Sequence, residues 1–389
     1  MESQDDVEIS STSGKKRHAN GKKTREEKRR KFEAKQARQR EMQEKEQSWS
    51  SWIEANSHFA SLVTEEDGDL DKIRSNPPSI LGTMLTPYFD IQDSSKSPAN
   101  LADNLDEELF IAEGTETIRI LIQQSTNKQK HDLKPITLKS IFVKPSILLE
   151  DPVNLLRDVC TCKTKRKESG DSNDKSPGFH VLVGSEAALS QVAGFPVSRG
   201  AMACGVVPKD RDEAWLENLV NSRMCDQGSK KIRLLALDGI CDTANLGSMI
   251  RCASAFGIDA VVLSNDSCEA WYRRSIRVSM GHIFLVPVVR VESLSKTIQD
   301  WTSLHPLMYS FAAVIDTEKL LGSIRHGAVP SSWCCVMGNE SHGISPPVAA
   351  ACTERIRVDM EEGVDSLSVP IACGILLHGL REREGPGDS

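Results

Sequence analysis

The segment 332–348 reads SWCCVMGNESHGISPPV and decides the fold class. Its apolar first half indicates a buried strand, which runs directly into Gly338, Asn339 and Glu340. The prolines after Gly343 are typical of a helix start. Strand, polar junction and helix in this order form the unit of a parallel α/β sheet, where ligands bind beyond the carboxyl ends of strands. The segment predicts either a ligand site at Glu340 or a tight turn in which Glu340 only begins a helix.

Further apolar segments of the same type surround this one. They read IRLLALD, DAVVLS, IFLVPVV, LMYSFAAV and RIRVDM, and helical patterns lie between them. This alternation predicts an α/β domain over 228–382, with a parallel sheet covered on both faces. A smaller α/β domain is expected over 105–212, after a polar segment 1–104 that reads as disordered chain or linker.

Two more junctions in the larger domain carry polar residues. In chain order, the first junction follows Asp238, the second follows Gly338 and the third follows the strand that ends near Met360. After a strand that ends at Asp238, a predicted helix contains Asn245, Gly247 and Arg251 within two turns. Without a ligand, Asn245 would cap this helix, Gly247 would allow close packing and Arg251 would lie on the surface. After a strand ending near Met360, an acidic loop leads into a long apolar helix. That helix is expected to start at Ser366, because Pro370 fits only in the first turn of a helix. Without a ligand, the segment would be a buried C-terminal helix with no other role.

The motifs of several common enzyme classes are missing from the sequence. No G-x-G-x-x-G follows a strand, and there is no G-x-x-x-x-G-K-[ST] or G-x-S-x-G. A Rossmann dehydrogenase, a P-loop NTPase and a serine hydrolase are therefore disfavoured. Taken singly, the junctions indicate only an α/β enzyme with three candidate loops.

The net charge of −7 averages two opposite parts of the 389-residue chain. Residues 15–40 contain thirteen Lys and Arg against three Glu, a net +10, so the remainder carries −17. The basic tract reads as a nuclear-import signal, an RNA-binding arm or a solvated tail. Contacts with RNA are expected to be local, since most of the chain is acidic.

Composition also bears on location and metal content. No apolar run is long enough to span a membrane, so no membrane association is expected. The eleven Cys include no C-x-x-C pair, which favours a reducing compartment and no structural zinc. A nuclear, nucleolar or cytoplasmic location is expected, and the acidic first residues make an organelle less favoured.

Taken together and in order, the three junctions resemble the SpoU (TrmH) family of RNA ribose methyltransferases, part of the SPOUT superfamily. The family's N-x-G-x-x-x-R motif, its R-x-S-x-G segment and its G-N-E-x-x-G motif are all met. Its third motif, usually S-L-N-V, appears as S-L-S-V. The matching positions are Asn245, Gly247 and Arg251; Arg277, Ser279 and Gly281; Gly338, Asn339, Glu340 and Gly343; and Ser366 to Val369.

The resemblance implies a domain with a C-terminal trefoil knot, which assembles as a homodimer and uses S-adenosylmethionine without a metal. It implies that the 105–212 domain binds the substrate, tRNA or rRNA. The cofactor-binding positions carried over are Gly338, Asn339, Val358, Ser366 and Leu367. Arg277 and Ser279 are assigned to RNA binding.

The reaction implied is methyl transfer to a ribose 2′-hydroxyl, with Arg251, Asn245, Glu340 and Ser368 as catalytic residues. Because arginine is always protonated, Arg251 is expected to orient the hydroxyl or stabilise the developing alkoxide rather than act as a base. Ser368 replaces the family's Asn and has shorter reach. This difference leaves open a weak or inactive relative that only binds RNA. Methylation of a base is a third possibility, against which Arg251 argues.

Overall fold

The computed structural model divides the chain into two compact units, 1–57 and 58–389. The residues it describes are 29–37, 40, 50–55, 57, 60–63, 84–89, 91, 107–125, 133–149, 179–197, 199–224, 231–364 and 366–384. In the first unit, residues 29–37 form an exposed helix in which Arg29 and Glu33 pair at 3.1 Å, one turn apart. This part of the basic tract is therefore a charged helix. Residues 15–28 of the tract lie outside the described residues.

The second unit begins with a five-stranded mixed sheet. Its strands are β1 (Ala60–Val63), β2 (Leu109–Glu113), β3 (Leu138–Val143), β4 (His180–Gly184) and β5 (Ala201–Val206), and its helices are α1 (Thr115–Gln124), α2 (Pro145–Leu149) and α3 (Glu186–Ala193). The strand order is β1-β4-β3-β5-β2. Strands β1, β4 and β3 pair in parallel, whereas β5 is antiparallel to both β3 and β2.

This sheet extends beyond the segment that the sequence assigns to it. Strand β1 lies within 1–104, which reads as linker, yet it pairs with β4 along its whole length. Tyr88, from the same segment, is fully buried and donates a 3.0 Å hydrogen bond to the Ser140 carbonyl. The linker assignment is therefore wrong for these residues. Short apolar runs in a polar context carry little periodicity, and only their partners in the sheet define them.

A six-stranded sheet follows in the same unit. Its strands are β6 (Arg233–Asp238), β7 (Ala260–Leu263), β8 (Val288–Arg290), β9 (Met308–Ala313), β10 (Ser332–Gly338) and β11 (Glu354–Ile356). The helices that precede, connect and follow them are α4 (Glu213–Met224), α5 (Thr243–Ala255), α6 (Arg273–Val278), α7 (Leu294–Leu304), α8 (Pro346–Ala351) and α9 (Val369–Glu382). The order is β11-β9-β10-β6-β7-β8, and every neighbouring pair is parallel. The predicted α/β class with a parallel sheet is confirmed.

Two predicted boundaries in this sheet differ from those observed. The strand expected to reach Met360 ends at Ile356, and the helix expected at Ser366 begins at Val369, with Ser368 at its N-cap. Pro370 occupies its first turn, as predicted. None of the described helices is both long and apolar enough to cross a bilayer.

Helices α5 and α9 pack side by side and run in the same direction. The position of a Cβ on Gly374 lies 3.5 Å from the Cys252 sulfur. Four residues further along both helices, the rings of Phe256 and His378 are 5.7 Å apart. Because the same step of four residues along both helices leads from one contact to the next, the helices are parallel. Their N-terminal ends therefore lie at the same edge of the sheet.

Candidate active site

The site is built on the two central strands, β6 and β10. Their register pairs Asp238 with Gly338, so both strands end at the same level. Beyond these ends, Oδ2 of Asp238 accepts a 2.7 Å hydrogen bond from the backbone N–H of Ser345. The turn after β10 is thereby held against the end of β6. The first and second junctions of the sequence are neighbours for this reason.

Gly338 is required by the chain's own crossing. A Cβ at this position would lie 2.2 Å from Gly343 C and from Ile344 N, which excludes every side chain. Asn339 and Gly343 exchange two backbone hydrogen bonds of 2.9 Å, and Gly343 adopts a positive φ of 71°. On this face of Gly338 the backbone of Gly343 and Ile344 occupies the space that a side chain would need.

Asn339 ties the second junction to the first. Its Nδ2 donates a 2.6 Å hydrogen bond to the carbonyl of Gly239, directly after β6. Its Oδ1 accepts from the backbone N–H groups of Ser341 and His342, at 2.8 and 3.1 Å. Because both ends of this amide are satisfied, Asn339 fixes the loop through its side chain.

Glu340 meets Asn245 across the two junctions. The Nδ2 atom of Asn245 donates to Oε1 of Glu340 at 2.9 Å, and the backbone N–H of Cys241 lies 3.4 Å from Oε2. Asn245 does not cap α5, contrary to one interpretation of the sequence. Asp242 is the N-cap, and its carboxylate accepts from the N–H groups of Ala244 and Asn245. The side chain of Asn245 is therefore available to orient the exposed carboxylate of Glu340.

Arg251 lies further along α5 and is exposed. It makes no hydrogen bond or ion pair with any described residue, so the structure does not join it directly to Asn245 or Glu340. The pKa of the His282 imidazole is lowered, first by burial and then by the positive charge of Arg251. An exposed cation with no fixed partner can engage a substrate oxygen or phosphate.

A cavity of about 680 Å³ opens beyond the ends of β9, β10 and β11. The cofactor-binding positions expected from the sequence all line it, and so does Glu340. These positions are Gly338, Asn339, Val358, Ser366 and Leu367. The volume falls in the usual range for small-molecule sites. The structure therefore brings together residues from the second and third junctions around one cavity.

Sequence reasoning missed part of the cavity wall. Arg357 lines it, and its Nε atom is buried with no hydrogen-bond partner among the described residues. Leu376 of α9 and Met337 of β10 add apolar surface. The missed signal was the strand RIRVDM, whose second Arg follows a buried Ile at the end of β11. An unpaired buried guanidinium N–H is a donor that an anionic or carbonyl group of a ligand would satisfy.

Ser368 is exposed at the N-cap of α9, and its side chain makes no capping hydrogen bond. Ser368 begins α9, whose N-terminal end lies at the same edge of the sheet as that of α5. The hydroxyl is therefore free and lies at the same edge of the sheet as the Asn245–Glu340 pair. The structure records no direct contact between Ser368 and that pair.

The two residues assigned to RNA binding differ in accessibility. Ser279 is fully buried, and its hydroxyl donates a 2.9 Å hydrogen bond to the Ile276 carbonyl. Its hydroxyl thus has no surface for RNA, and the assignment is corrected to a packing role. Arg277 is 40% exposed, and its Nη1 lies 3.6 Å from Oε2 of Glu113.

Gly247 explains how α5 and α6 approach each other. A Cβ on Gly247 would lie 2.5 Å from the Ser275 carbonyl and 3.1 Å from the Ser279 nitrogen. The close-packing interpretation of Gly247 is confirmed. The close approach brings the Arg277 segment against the helix that carries Asn245 and Arg251.

Comparison with known proteins identifies this domain. Residues 233–378 match the model of the SpoU rRNA Methylase family. A 23S rRNA (guanosine-2′-O-)-methyltransferase RlmB from Coxiella burnetii is 28% identical over 226 residues, covering 58% of this chain and 86% of the relative. The enzyme of the same name from Acinetobacter baylyi is 29% identical over 212 residues, covering 54% and 81%.

Solved structures share the fold. An rRNA methyltransferase from Sinorhizobium meliloti superposes with a TM-score of 0.55 at 16% identity, covering 83% of this chain and 97% of that one. The SpoU methyltransferase AviRb from Streptomyces viridochromogenes, solved in complex with AdoMet, superposes with a TM-score of 0.51 at 17% identity, covering 70% and 89%.

The comparisons also correct the expected location. The similar enzymes come from bacteria, which have no nucleus. The nuclear or nucleolar location suggested by the basic tract is therefore wrong. A run of Lys and Arg is a signal of low specificity, because it equally suits a solvated or polyanion-binding segment.

Proposed function

This chain belongs to the SpoU methylase family through residues 233–378, and we propose that it transfers a methyl group from S-adenosylmethionine to a ribose 2′-hydroxyl of ribosomal RNA. One observation carries the proposal. Glu340 lines the same cavity as Gly338, Val358 and Leu367, and it also accepts the hydrogen bond from Asn245. The cofactor site and the polar reaction site therefore have one residue in common.

The residues around the cavity fit this cofactor. S-adenosylmethionine supplies a methyl group on a sulfonium, which leaves as a neutral thioether and so needs little further activation. The orphaned Nε of Arg357 is a donor suited to a carboxylate. Leu367, Leu376 and Met337 offer apolar surface, and Ser366 adds a hydroxyl. Together they would hold a ligand with both apolar and charged parts.

We assign the reacting roles to residues at the edge of this cavity. Arg251 binds and orients the ribose hydroxyl and stabilises the negative charge that develops on its oxygen. Asn245 holds Glu340 in place, and Glu340 accepts a hydrogen bond from the substrate. Ser368 offers its free hydroxyl to the ribose from the start of α9. In this scheme positioning supplies most of the rate enhancement.

The relatives' names support ribosomal RNA as the substrate class. Both are 23S rRNA 2′-O-methyltransferases, matched over more than four-fifths of their length. The alternative that this chain is inactive and only binds RNA is not favoured, since the matched relatives are named as enzymes. We further propose that 105–212 binds RNA and that 228–382 carries out methylation.

We also propose that α9 threads a trefoil knot and that two copies pack through it. The backbone carbonyl of Arg383, just after α9, accepts hydrogen bonds from the N–H groups of Gly327 and Val329, at 3.1 and 2.9 Å. This contact secures the end of α9 against the loop before β10. Ile371 and Ile375 are 56% and 39% exposed one turn apart on α9, which offers an apolar face to a second copy.

The test supplies purified protein with methyl-labelled S-adenosylmethionine and, separately, ribosomal RNA lacking this modification or transfer RNA. We expect label in ribosomal RNA only, recovered as 2′-O-methyl nucleoside after digestion. Label in transfer RNA would show that transfer RNA, and not ribosomal RNA, is the substrate. No label in either pool, with cofactor bound, would favour the RNA-binding alternative.

A further inference from the structure

A buried carboxylate joins the first sheet to the methylase domain. Glu113 ends β2, and its side chain is only 6% exposed. Its Oε2 lies 3.2 Å from Nη1 of Arg273 and 3.6 Å from Nη1 of Arg277, both on α6. One negative charge thus faces two guanidinium groups one helical turn apart. The cluster keeps a net positive charge.

The two arginines occupy different environments. Arg273 is 17% exposed, donates a hydrogen bond to Glu113 and places its guanidinium carbon 4.3 Å from the ring centroid of Phe195. Arg277 is 40% exposed and lies beyond hydrogen-bonding distance of the same oxygen. Arg273 is therefore fixed by a carboxylate and an aromatic face, whereas Arg277 presents its donors to solvent.

Arg199 brings a third guanidinium to this place from the first sheet. Gly114 follows Glu113 with φ +97°, and a Cβ there would lie 3.1 Å from Cδ and Nη1 of Arg199. The glycine therefore lets the Arg199 side chain lie across the backbone next to the cluster. Arg199 is exposed and makes no hydrogen bond or ion pair with the described residues.

The same segment of α6 also contacts the catalytic helix. Arg274 is half exposed and lies 3.9 Å from Oδ1 of Asp242, the N-cap of α5. Just after α6, Gly281 adopts φ +82° and packs on α1, where a Cβ would lie 3.1 Å from the Thr117 Cα. One short helix is thus fastened both to the first sheet and to the helix that bears Arg251.

We propose that Arg199, Arg273 and Arg277 form one binding surface for RNA backbone phosphates, organised by Glu113, which leads the substrate from the first sheet to Arg251. The inference rests on the proposed function, because RNA is the substrate named there. Residues outside the basic tract carry a net −17, so two arginines on Glu113 and a third beside Gly114 are a local exception to the charge of the rest of the chain. Planar guanidinium groups bind phosphate oxygens in pairs, and they retain their charge at all working pH values.

The test measures RNA affinity against salt concentration. The probe is a fluorescent hairpin transcribed from ribosomal RNA, and the protein is the full chain. Each phosphate contact contributes about 0.7 to 0.9 to the slope of log affinity against log salt. We expect the double variant Arg199→Ala/Arg277→Ala to lower the slope by about 1.4 to 1.8. An unchanged slope would overturn the proposal.

A matched control removes the same charge elsewhere. Arg325 and Arg381 are exposed, and they lie at the opposite edge of the sheet, since the neighbouring His326 contacts the Glu382 carbonyl and Glu384 reaches the start of β6. Arg325→Ala/Arg381→Ala should leave the slope unchanged. An equal loss of slope in this control would show diffuse electrostatics instead of a defined surface.

Glu113→Gln tests the organising role separately. The change adds one net positive charge, so weaker RNA binding is expected only if Glu113 acts by holding Arg273 and Arg277 in place. Tighter binding by a folded variant would overturn that role. Methyl transfer by the wild-type chain, measured in parallel, separates the two levels. If the wild-type chain transfers methyl but the double variant keeps the wild-type slope, the phosphate-binding surface is wrong and the methyltransferase function stands. If the double variant loses slope but the wild-type chain transfers no methyl, the methyltransferase function is wrong and the surface stands.

Discussion

Asn245 and Glu340 lie 95 positions apart in sequence, yet the Nδ2 of one donates a 2.9 Å hydrogen bond to the carboxylate of the other. The register of β6 and β10 produces this contact, because it ends both strands at the level of Asp238 and Gly338. The exposed carboxylate gains a fixed direction from a partner on a separate helix. We treat this pair as the structural centre of the site.

Asn245 and Glu340 are expected to act as a unit. Glu340→Ala should lower kcat about 100-fold, since misplacement near reacting atoms has effects of that size. Asn245→Ala should have a similar effect, and the double variant should be little worse than either single one. Steady-state kinetics of this cycle, with Glu361→Ala as an exposed control, checks the prediction. Fully additive losses would show that the hydrogen bond has no role in catalysis.

Gly338→Ala should destabilise the fold and weaken cofactor binding together. The added methyl would lie 2.2 Å from the backbone of Gly343 and Ile344, so the loop must shift. We expect a loss of about 1–3 kcal/mol in unfolding free energy, measured by urea denaturation. Gly322→Ala is the control, because a Cβ there meets nothing within 4 Å. Equal stabilities of the two variants would contradict the crossing at Gly338.

Ser368→Asn should raise activity without changing stability. Asn and Ser are equally good N-cap residues, and the Ser368 side chain makes no capping bond that could be lost. The longer amide adds two donors and an acceptor at the start of α9. We expect kcat/KM for RNA to rise at least about twofold, with the thermal midpoint unchanged. A fall in kcat/KM would show that the shorter side chain suits this substrate.

Glu384 should stabilise the end of the chain. Its side chain is 5% exposed, and its carboxylate accepts two hydrogen bonds from Arg233 and one from the Trp333 indole. These bonds tie the chain just beyond α9 to β6 and β10. Glu384→Ala leaves the Arg233 charge without its buried partner and should cost about 3–5 kcal/mol. Glu382→Ala removes an exposed carboxylate nearby and should change stability by less than about 0.5 kcal/mol. Similar urea midpoints for the two variants would contradict this role.

The sequence predicts what depends on local pattern. The apolar run into Gly338 predicts β10 and its junction, and Pro370 correctly limits the start of α9 to its neighbourhood. The five expected cofactor positions line one cavity, because motif order along a parallel sheet places junctions at a common edge.

Features that depend on tertiary partners were missed. Ser279 reads as an exposed polar residue, but its burial comes from the packing of α6 against α5 at Gly247. The role of Arg357 depends on a cavity wall built from distant segments. Asp242, rather than Asn245, caps α5. The sequence does not decide between them, because both residue types are good N-caps and the choice depends on where the helical backbone begins.

The role of Arg251 in methyl transfer is tested by comparing wild-type protein with Arg251→Ala. Both are supplied with methyl-labelled S-adenosylmethionine and unmodified ribosomal RNA, and the label is followed after alkaline hydrolysis. Arg251 makes no bond to the described residues, so the variant should fold and bind cofactor normally. We expect label on ribose 2′-oxygens with wild-type protein and a rate lower by about 10²–10³-fold with Arg251→Ala. Label on a base, or equal rates for the two proteins, would contradict this expectation.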